Sequence, residues 1–327
     1  MAKISVMAPG GWGTALAVLC CRKGHDVILW GAFENEIENI KNTHENPLLK
    51  GIEISDKISL TTDISSVSDS DIVIMATPSF AVRETAAKLK GVIGKDTVVV
   101  SVTKGFEKGS LKRFSVVIKE ELPDNEVVVL SGPSHAEEVA RRIPTSVVSA
   151  SENLKAAEYI QEALMDDTFR IYTNTDVIGV ETGAALKNII AMAAGVCDGM
   201  GLGDNTVAAL ITRGINEMAA LGIKMGADRF TFAGLSGIGD LVVTCTSRHS
   251  RNRSFGKALG SGMSVDEALK SVGMTVESYY ATASAKQLAD KYGVEMPIIN
   301  ECYDLLYNGA NVKDAIKNLM NRSMKPE

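Results

Sequence analysis

Residues 3–8 form a short apolar run that ends in Pro9-Gly10-Gly11-Trp12-Gly13. Residues 14–23 then have helical composition, Gly24 stops them, and residues 26–30 are apolar and β-branched again. Strand, glycine turn, helix and strand within about 30 residues is the length of a βαβ crossover, which joins parallel neighbours in a sheet. Glycines matter in such a turn because a phosphate approaches the backbone closely there and meets amide groups at a helix N-terminus. A dinucleotide fingerprint, G-x-G-x-x-G, asks for glycine at positions 8, 10 and 13, and Ala8 occupies the first. Gly10, Gly11, Trp12 and Gly13 are the candidates for holding a cofactor; an ordinary glycine-rich αβ turn is the alternative.

The alternation continues. Residues 71–76, 97–102 and 127–130 are β-branched runs of the parallel-strand type, separated by helix-compatible residues 80–90 and 111–121. Residues 144–150 and 169–172 add strands, residues 154–164 a helix, and Thr175-Asp176 cap a further helix. The fold class expected is α/β: an N-terminal doubly wound, Rossmann-like parallel sheet over residues 1–175, followed by an all-helical C-terminal domain over 176–327. Ligands of such sheets sit beyond the carboxyl ends of the strands. That directs attention to Thr77-Pro78-Ser79, Thr103-Lys104-Gly105 and Ser131-Gly132-Pro133-Ser134, among which Lys104 carries the charge. Ser134 followed by Glu137 also has the pattern of a helix-capping box. After the second strand neither the acid that favours NAD nor the cation that favours NADP follows directly, because Gly31-Ala32-Phe33 precede Glu34. The cofactor is therefore written NAD or NADP.

Beyond residue 176 helical signals dominate, at residues 206–221, 265–272, 281–292, 298–307 and 312–320. Arg213 and Glu217, spaced i,i+4, read as a surface pair. The apolar helix over residues 181–195 holds one charged oddity, Lys187, whose face also carries Val180, Gly183, Ala184, Ile190, Ala191 and Ala194. A lysine on such a stripe either snorkels to water or is poorly solvated, and poor solvation lowers its pKa toward the range useful for proton exchange. Three glycines at 234, 237 and 239 lead to Asp240, as in a tight loop that delivers an acid to a helix start or to a site. Arg248, Arg251 and Arg253 gather within six residues, a cluster suited to gripping one small phosphate; a solvated loop or a small nucleic-acid patch is the alternative.

A formal charge of -6 over 327 residues argues against a general nucleic-acid or acidic-membrane binder. The five cysteines, Cys20, Cys21, Cys197, Cys245 and Cys302, show no C-x-x-C pair and read as reduced packing residues. His25, His44, His135 and His249 lack metal-ligand spacing, so no metal is expected. No run reads as a membrane span and no secretory segment opens the chain, which points to the cytoplasm.

Taken in order, Gly10-x-x-Gly13, Thr103-Lys104-Gly105, Ser131-Gly132-Pro133-Ser134, Ala185-Leu186-Lys187-Asn188, Gly239-Asp240 through Thr244-Cys245-Thr246 and Ser250-Arg251-Asn252-Arg253 resemble the NAD(P)-dependent glycerol-3-phosphate dehydrogenases. The resemblance implies reversible reduction of dihydroxyacetone phosphate to sn-glycerol 3-phosphate for glycerophospholipid synthesis. It implies Lys187 as the catalytic lysine, with Lys104 and Asp240 beside the reacting carbons. It assigns Gly132, Ser134, Thr244, Ser250, Arg251 and Asn252 to the substrate, and Lys104, Ala136, Arg251, Thr275 and Glu277 to the dinucleotide along with the glycine loop. Departures are Ala8 for a glycine, Gly11 for a usual serine, Ser278 for a usual glycine, and Ala32-Phe33 where relatives often carry a basic residue. The expected partners are the small-molecule substrate alone, with no nucleic acid and no membrane span; a homodimer is one option for assembly. Two other readings are a dehydrogenase of the 6-phosphogluconate or ketopantoate type and a non-catalytic nucleotide sensor.

Overall fold

A computed structural model, describing residues 1–324, divides the chain into Met1–Glu107 with Lys112–Glu181, and Lys108–Leu111 with the chain from Thr182 onward. The first unit is built on one sheet of eight strands: β1 (Lys3–Met7), β2 (Asp26–Trp30), β3 (Ile58–Thr61), β4 (Ile72–Met75), β5 (Val98–Ser101), β6 (Val127–Ser131), β7 (Thr145–Ala150) and β8 (Phe169–Asn174). Their order is β3-β2-β1-β4-β5-β6-β7-β8. Every pair from β3 to β6 is parallel, β7 runs antiparallel to β6, and β8 is parallel to β7. The sheet is thus mostly rather than wholly parallel, and its order reverses between β1 and β4, the place where doubly wound sheets bind ligands.

Both faces of the inner strands are apolar because both are covered. Ile4, Val6, Val27, Leu29, Ile72 and Ile74 point into one core with α1 (Gly11–Arg22) and α6 (Leu154–Leu164). Met7, Ile28, Trp30, Val73, Met75 and Val99 point into the other with α3 (Val82–Leu89) and α4 (Phe114–Glu121). The period of two along each strand sends neighbours to opposite cores. Two elements were not expected, α2 (Glu34–Thr43) and the edge strand β3. The short α5 (Ala136–Ala140) is present, but Ser134 does not cap it: its hydroxyl donates to the carbonyl of Gly132 at 3.0 Å, and the N-cap is His135.

The helix that carries Lys187, α7 (Val177–Gly199), starts where expected, with the Asp176 carboxylate accepting from the N–H of Gly179 at 2.8 Å. Its Glu181, 4% exposed, accepts from Arg113 at 2.6 Å and from the Ser115 N–H at 2.8 Å, which fixes the first turn of α7 to the start of α4. The α7 helix is long and apolar enough to cross a membrane, but 89% of its most apolar stretch is buried in the protein.

The second unit is helical: most of α7, then α8 (Asp204–Lys224), α9 (Asp240–Thr246), α10 (Arg251–Gly260), α11 (Val265–Val272), α12 (Glu277–Tyr292), α13 (Pro297–Tyr307) and α14 (Val312–Met320). Its tightest contact joins α7 to α10. A Cβ on Gly195 would lie 2.0 Å from the Arg253 carbonyl oxygen, and one on Gly256 would lie 1.9 Å from that of Met192. Glycines four apart on each helix (195 and 199, 256 and 260) let backbone rest on backbone. One expectation fails here and one element was not foreseen. The arginine-rich residues divide: Arg248 lies in a turn, while Arg251 opens α10 and Ser250 caps it by accepting from the Arg253 N–H at 3.2 Å. Glu217 is no surface residue: it is 8% exposed and its oxygens accept the N–H groups of Ile298 at 2.8 Å and Ile299 at 3.2 Å. The first turn of α13 has orphan donors, and a buried carboxylate satisfies two of them.

Candidate active site

In the helical unit the residues around Lys187 form a buried polar group in an apolar setting. The Lys187 ammonium donates to Asp240 Oδ1 at 2.6 Å and to Thr244 Oγ1 at 2.6 Å, and the Thr244 hydroxyl donates to the Asp240 carbonyl at 2.6 Å. The side chains of Lys187 and Asp240 are 7% and 2% exposed. Lys187 therefore does not snorkel to water. Burial disfavours its ammonium while the adjacent carboxylate favours it, so the charge is held by its partner. Local sequence explains the approach. Asp240 and Thr244 stand one turn apart on α9, hence on one face. The turn before α9, Leu235–Gly239, comes so near α7 that a Cβ on Gly183 would be 2.6 Å from the Ser236 carbonyl oxygen. Cys245, next to this group, is no nucleophile, because burial pushes its thiol up to about 12.

A second polar chain runs beside it in sequence. Asn252 Nδ2 donates to Asn188 Oδ1 at 3.0 Å, and Asn252 Oδ1 accepts the Ser278 N–H at 2.9 Å. Asn188, the residue after the lysine, was not picked out as a site residue from the sequence. Arg251 is exposed and donates to the Thr275 carbonyl at 3.2 Å, so the helix α10 start and the segment before α12 meet; Glu277 is the first residue of α12. Arg253 pairs with Asp198 and is thereby committed to the α7–α10 contact.

In the sheet unit, Lys104, Gly132 and Ser134 come together at the carboxyl ends of β5 and β6. The Lys104 amine donates to the Gly132 carbonyl at 3.2 Å, and the Ser134 hydroxyl donates to the same oxygen at 3.0 Å. Gly132 has φ +149°, and a Cβ there would lie 2.9 Å from Val147 Cα, so no other residue fits.

The glycine turn lies between β1 and α1. Gly10 is the N-cap of α1, no side chain caps that end, and a Cβ on Gly10 would meet nothing within 4 Å. The N-terminus of this 12-residue helix thus has no side-chain cap and has room beside Gly10, which fits a pyrophosphate. A Cβ on Gly13 would lie 2.2 Å from the Ala8 carbonyl oxygen, the close helix-to-strand approach that the third glycine of the fingerprint serves. Ala8 takes φ +86°, the left-handed conformation that explains why a glycine is the ordinary choice there. Trp12 and Ala136 pack in one small cluster around Ala15, Leu49 and Ala140. At the end of β2, Phe33 is 63% exposed, and the Glu34 carboxylate accepts from the Thr62 hydroxyl at 2.7 Å.

A nucleotide-type turn on a doubly wound sheet, with a buried and paired lysine on a helical unit, puts the chain among the dinucleotide-dependent oxidoreductases. Comparison with known proteins narrows this class. The pattern described as "NAD-dependent glycerol-3-phosphate dehydrogenase N-terminus" matches residues 3–157, and its C-terminus counterpart matches residues 176–317. A glycerol-3-phosphate dehydrogenase [NAD(P)+] of Thermoanaerobacter sp. (strain X514) is 52% identical over 99% of this chain and 98% of its own length. The enzyme of the same description from Desulfitobacterium hafniense (strain Y51) is 49% identical over 100% of this chain and 93% of its own. The crystal structure of glycerol-3-phosphate dehydrogenase from Coxiella burnetii superposes with a TM-score of 0.94 at 37% identity, covering 98% of this chain and 99% of that one. This chain belongs to the NAD-dependent glycerol-3-phosphate dehydrogenase family.

Proposed function

We propose that the protein catalyses the reversible NAD(P)H-dependent reduction of dihydroxyacetone phosphate to sn-glycerol 3-phosphate, as a cytoplasmic step that feeds glycerophospholipid synthesis. Beyond family membership, the observation that carries this reading is the buried Lys187–Asp240–Thr244 group. Bound NADH or NADPH supplies the hydride that reduces C2. As C2 is reduced its oxygen gains negative charge, and a proton donor must stand beside it. Lys187 donates an N–H to that oxygen and passes it the proton, becoming a neutral amine; in the oxidative direction the amine takes the proton back. Asp240 keeps the amine charged until transfer, and Thr244 limits its rotation.

An anionic tail on the substrate calls for planar and amide donors. Arg251 and Asn252 supply these, Ser250 adds a hydroxyl, and Lys104, Gly132 and Ser134 are the further substrate residues. Tail binding far from C2 aligns the reacting carbon and so lowers the barrier. Gly10, Gly11, Trp12, Gly13, Lys104 and Ala136, with Arg251, Thr275 and Glu277, hold the dinucleotide. A dehydrogenase of the 6-phosphogluconate or ketopantoate type and a nucleotide sensor are the readings set aside. Mixing the protein with dihydroxyacetone phosphate and NADH, or NADPH, and following reduced-cofactor absorbance tests the choice. Loss of absorbance with this substrate is expected, and none with either cofactor would overturn the proposal.

A further inference from the structure

The glycine turn is held in shape by a residue more than thirty positions away. Asn46, in the segment after α2, is 3% exposed and uses both polar atoms of its side chain. Its two amide N–H groups donate to the Pro9 carbonyl at 2.6 Å and to Thr14 Oγ1 at 2.7 Å, and its Oδ1 accepts the Leu48 N–H at 2.9 Å. Pro9 precedes the turn and Thr14 lies in the first turn of α1, so one side chain ties the two flanks of the phosphate-facing turn together. The same segment closes over the turn: a Cβ on Gly11 would be 3.1 Å from the Leu48 carbonyl oxygen, and Leu49 packs with Ala15, Ala140 and Trp12. The turn needs such support because Ala8, at φ +86°, holds a conformation that side chains rarely adopt.

We propose that Asn46 is a positioning residue for the dinucleotide: it locks the Ala8–Thr14 turn in its strained, phosphate-ready shape, doing through hydrogen bonds what a glycine at position 8 would do by its own freedom. This rests on the reading of the turn as the cofactor site. When only a fraction of molecules holds the competent shape, the apparent dissociation constant rises by the inverse of that fraction. Removing Asn46 lets Ala8 relax, so the competent fraction falls.

The test measures NADH and NADPH dissociation constants by fluorescence, without substrate, for the parent and for the Asn46→Ala, Thr14→Val, Ala8→Gly and Asn46→Ala/Ala8→Gly variants. Asn46→Ala should weaken binding about tenfold. Thr14→Val, which removes one of the bonds from its other end, should weaken it about threefold and keeps the inference testable if the first variant does not fold. At saturating cofactor, KM for dihydroxyacetone phosphate should stay within about twofold of the parent, which separates positioning of the cofactor from damage to the substrate site. Ala8→Gly should recover most of the loss in the Asn46→Ala background and have a smaller effect in the parent, the non-additivity expected of two devices serving one shape. A merely structural role would reduce the folded fraction and leave the dissociation constant of the folded molecules unmoved. Parental affinity in both Asn46→Ala and Thr14→Val, or an equal effect of Ala8→Gly in both backgrounds, overturns the inference alone. A parent that binds neither cofactor overturns the reading of the turn as well.

Discussion

Glu217 gives a prediction whose sign and size follow from its surroundings. Burial raises its carboxyl from the ordinary 4.5 to about 7, against the two α13 N–H groups that favour the charged form. Its charged neighbours are Glu295 and Arg322, which pair with each other at 2.5 Å, and the Cys302 thiol stays neutral because burial raises it too. The folded protein thus holds this proton more tightly than the unfolded chain does. Its contribution to stability is complete below pH 4.5 and is lost as pH rises through 7, a change of about 3 kcal/mol at most. Glu217→Gln is neutral at every pH and lacks this dependence. At pH 5 the parental carboxyl is itself protonated, so the two proteins start nearly level. By pH 8 the variant should be the more stable by about 2 kcal/mol, once about 1 kcal/mol is subtracted for the N–H that an amide cannot accept. Urea unfolding followed by circular dichroism at both pH values measures the difference. Parallel behaviour of parent and variant from pH 5 to 8 would refute the argument, because it would mean that the buried carboxyl does not titrate in this range.

Asp240→Asn keeps the shape of the partner to Lys187 but removes its charge, so a charge-assisted bond worth roughly 1.5–3 kcal/mol is weakened. The expected result is a fall in kcat of about 10- to 100-fold with an unchanged NADH dissociation constant, read from steady-state kinetics and fluorescence titration. Gly256→Ala places a methyl group where the Met192 carbonyl oxygen stands, 1.9 Å away, so α7 and α10 must part. The melting temperature should drop by about 5–10 °C, and an unchanged value would show that the two backbones are not in contact.

The sheet was readable because its strands are buried on both faces. Runs such as Ile72–Met75 have no polar position, and that pattern suits parallel strands between helices. Edge elements carried no such mark. Only Ile58 is buried in β3, and only Ile37 and Ile40 in α2, too narrow a stripe to stand out among polar residues. The start of α10 carries little helical signal, because its buried face is Asn252, Phe255, Gly256 and Leu259, a period borne partly by glycine and amide beside the exposed guanidinium of Arg251. Lys187 was legible as a charge on a stripe of small residues, and its binding to Asp240 and Thr244 spans 53 and 57 positions, a pairing that only folding reveals. Asn46 left no local trace at all. Its partners lie 37 and 32 residues away, and an asparagine before a proline looks like any turn. Glu217 misled for a related reason: its i,i+4 spacing from Arg213 suggests a surface pair, yet its oxygens are taken by backbone from another helix.

The most direct measurement is turnover of dihydroxyacetone phosphate by the Lys187→Ala variant, with the NADH dissociation constant measured on the same preparation. If the buried amine delivers the proton to the C2 oxygen, kcat should fall by at least about a thousandfold while cofactor affinity stays within about twofold of the parent. Turnover near the parental rate in a folded variant that still binds NADH would contradict the account.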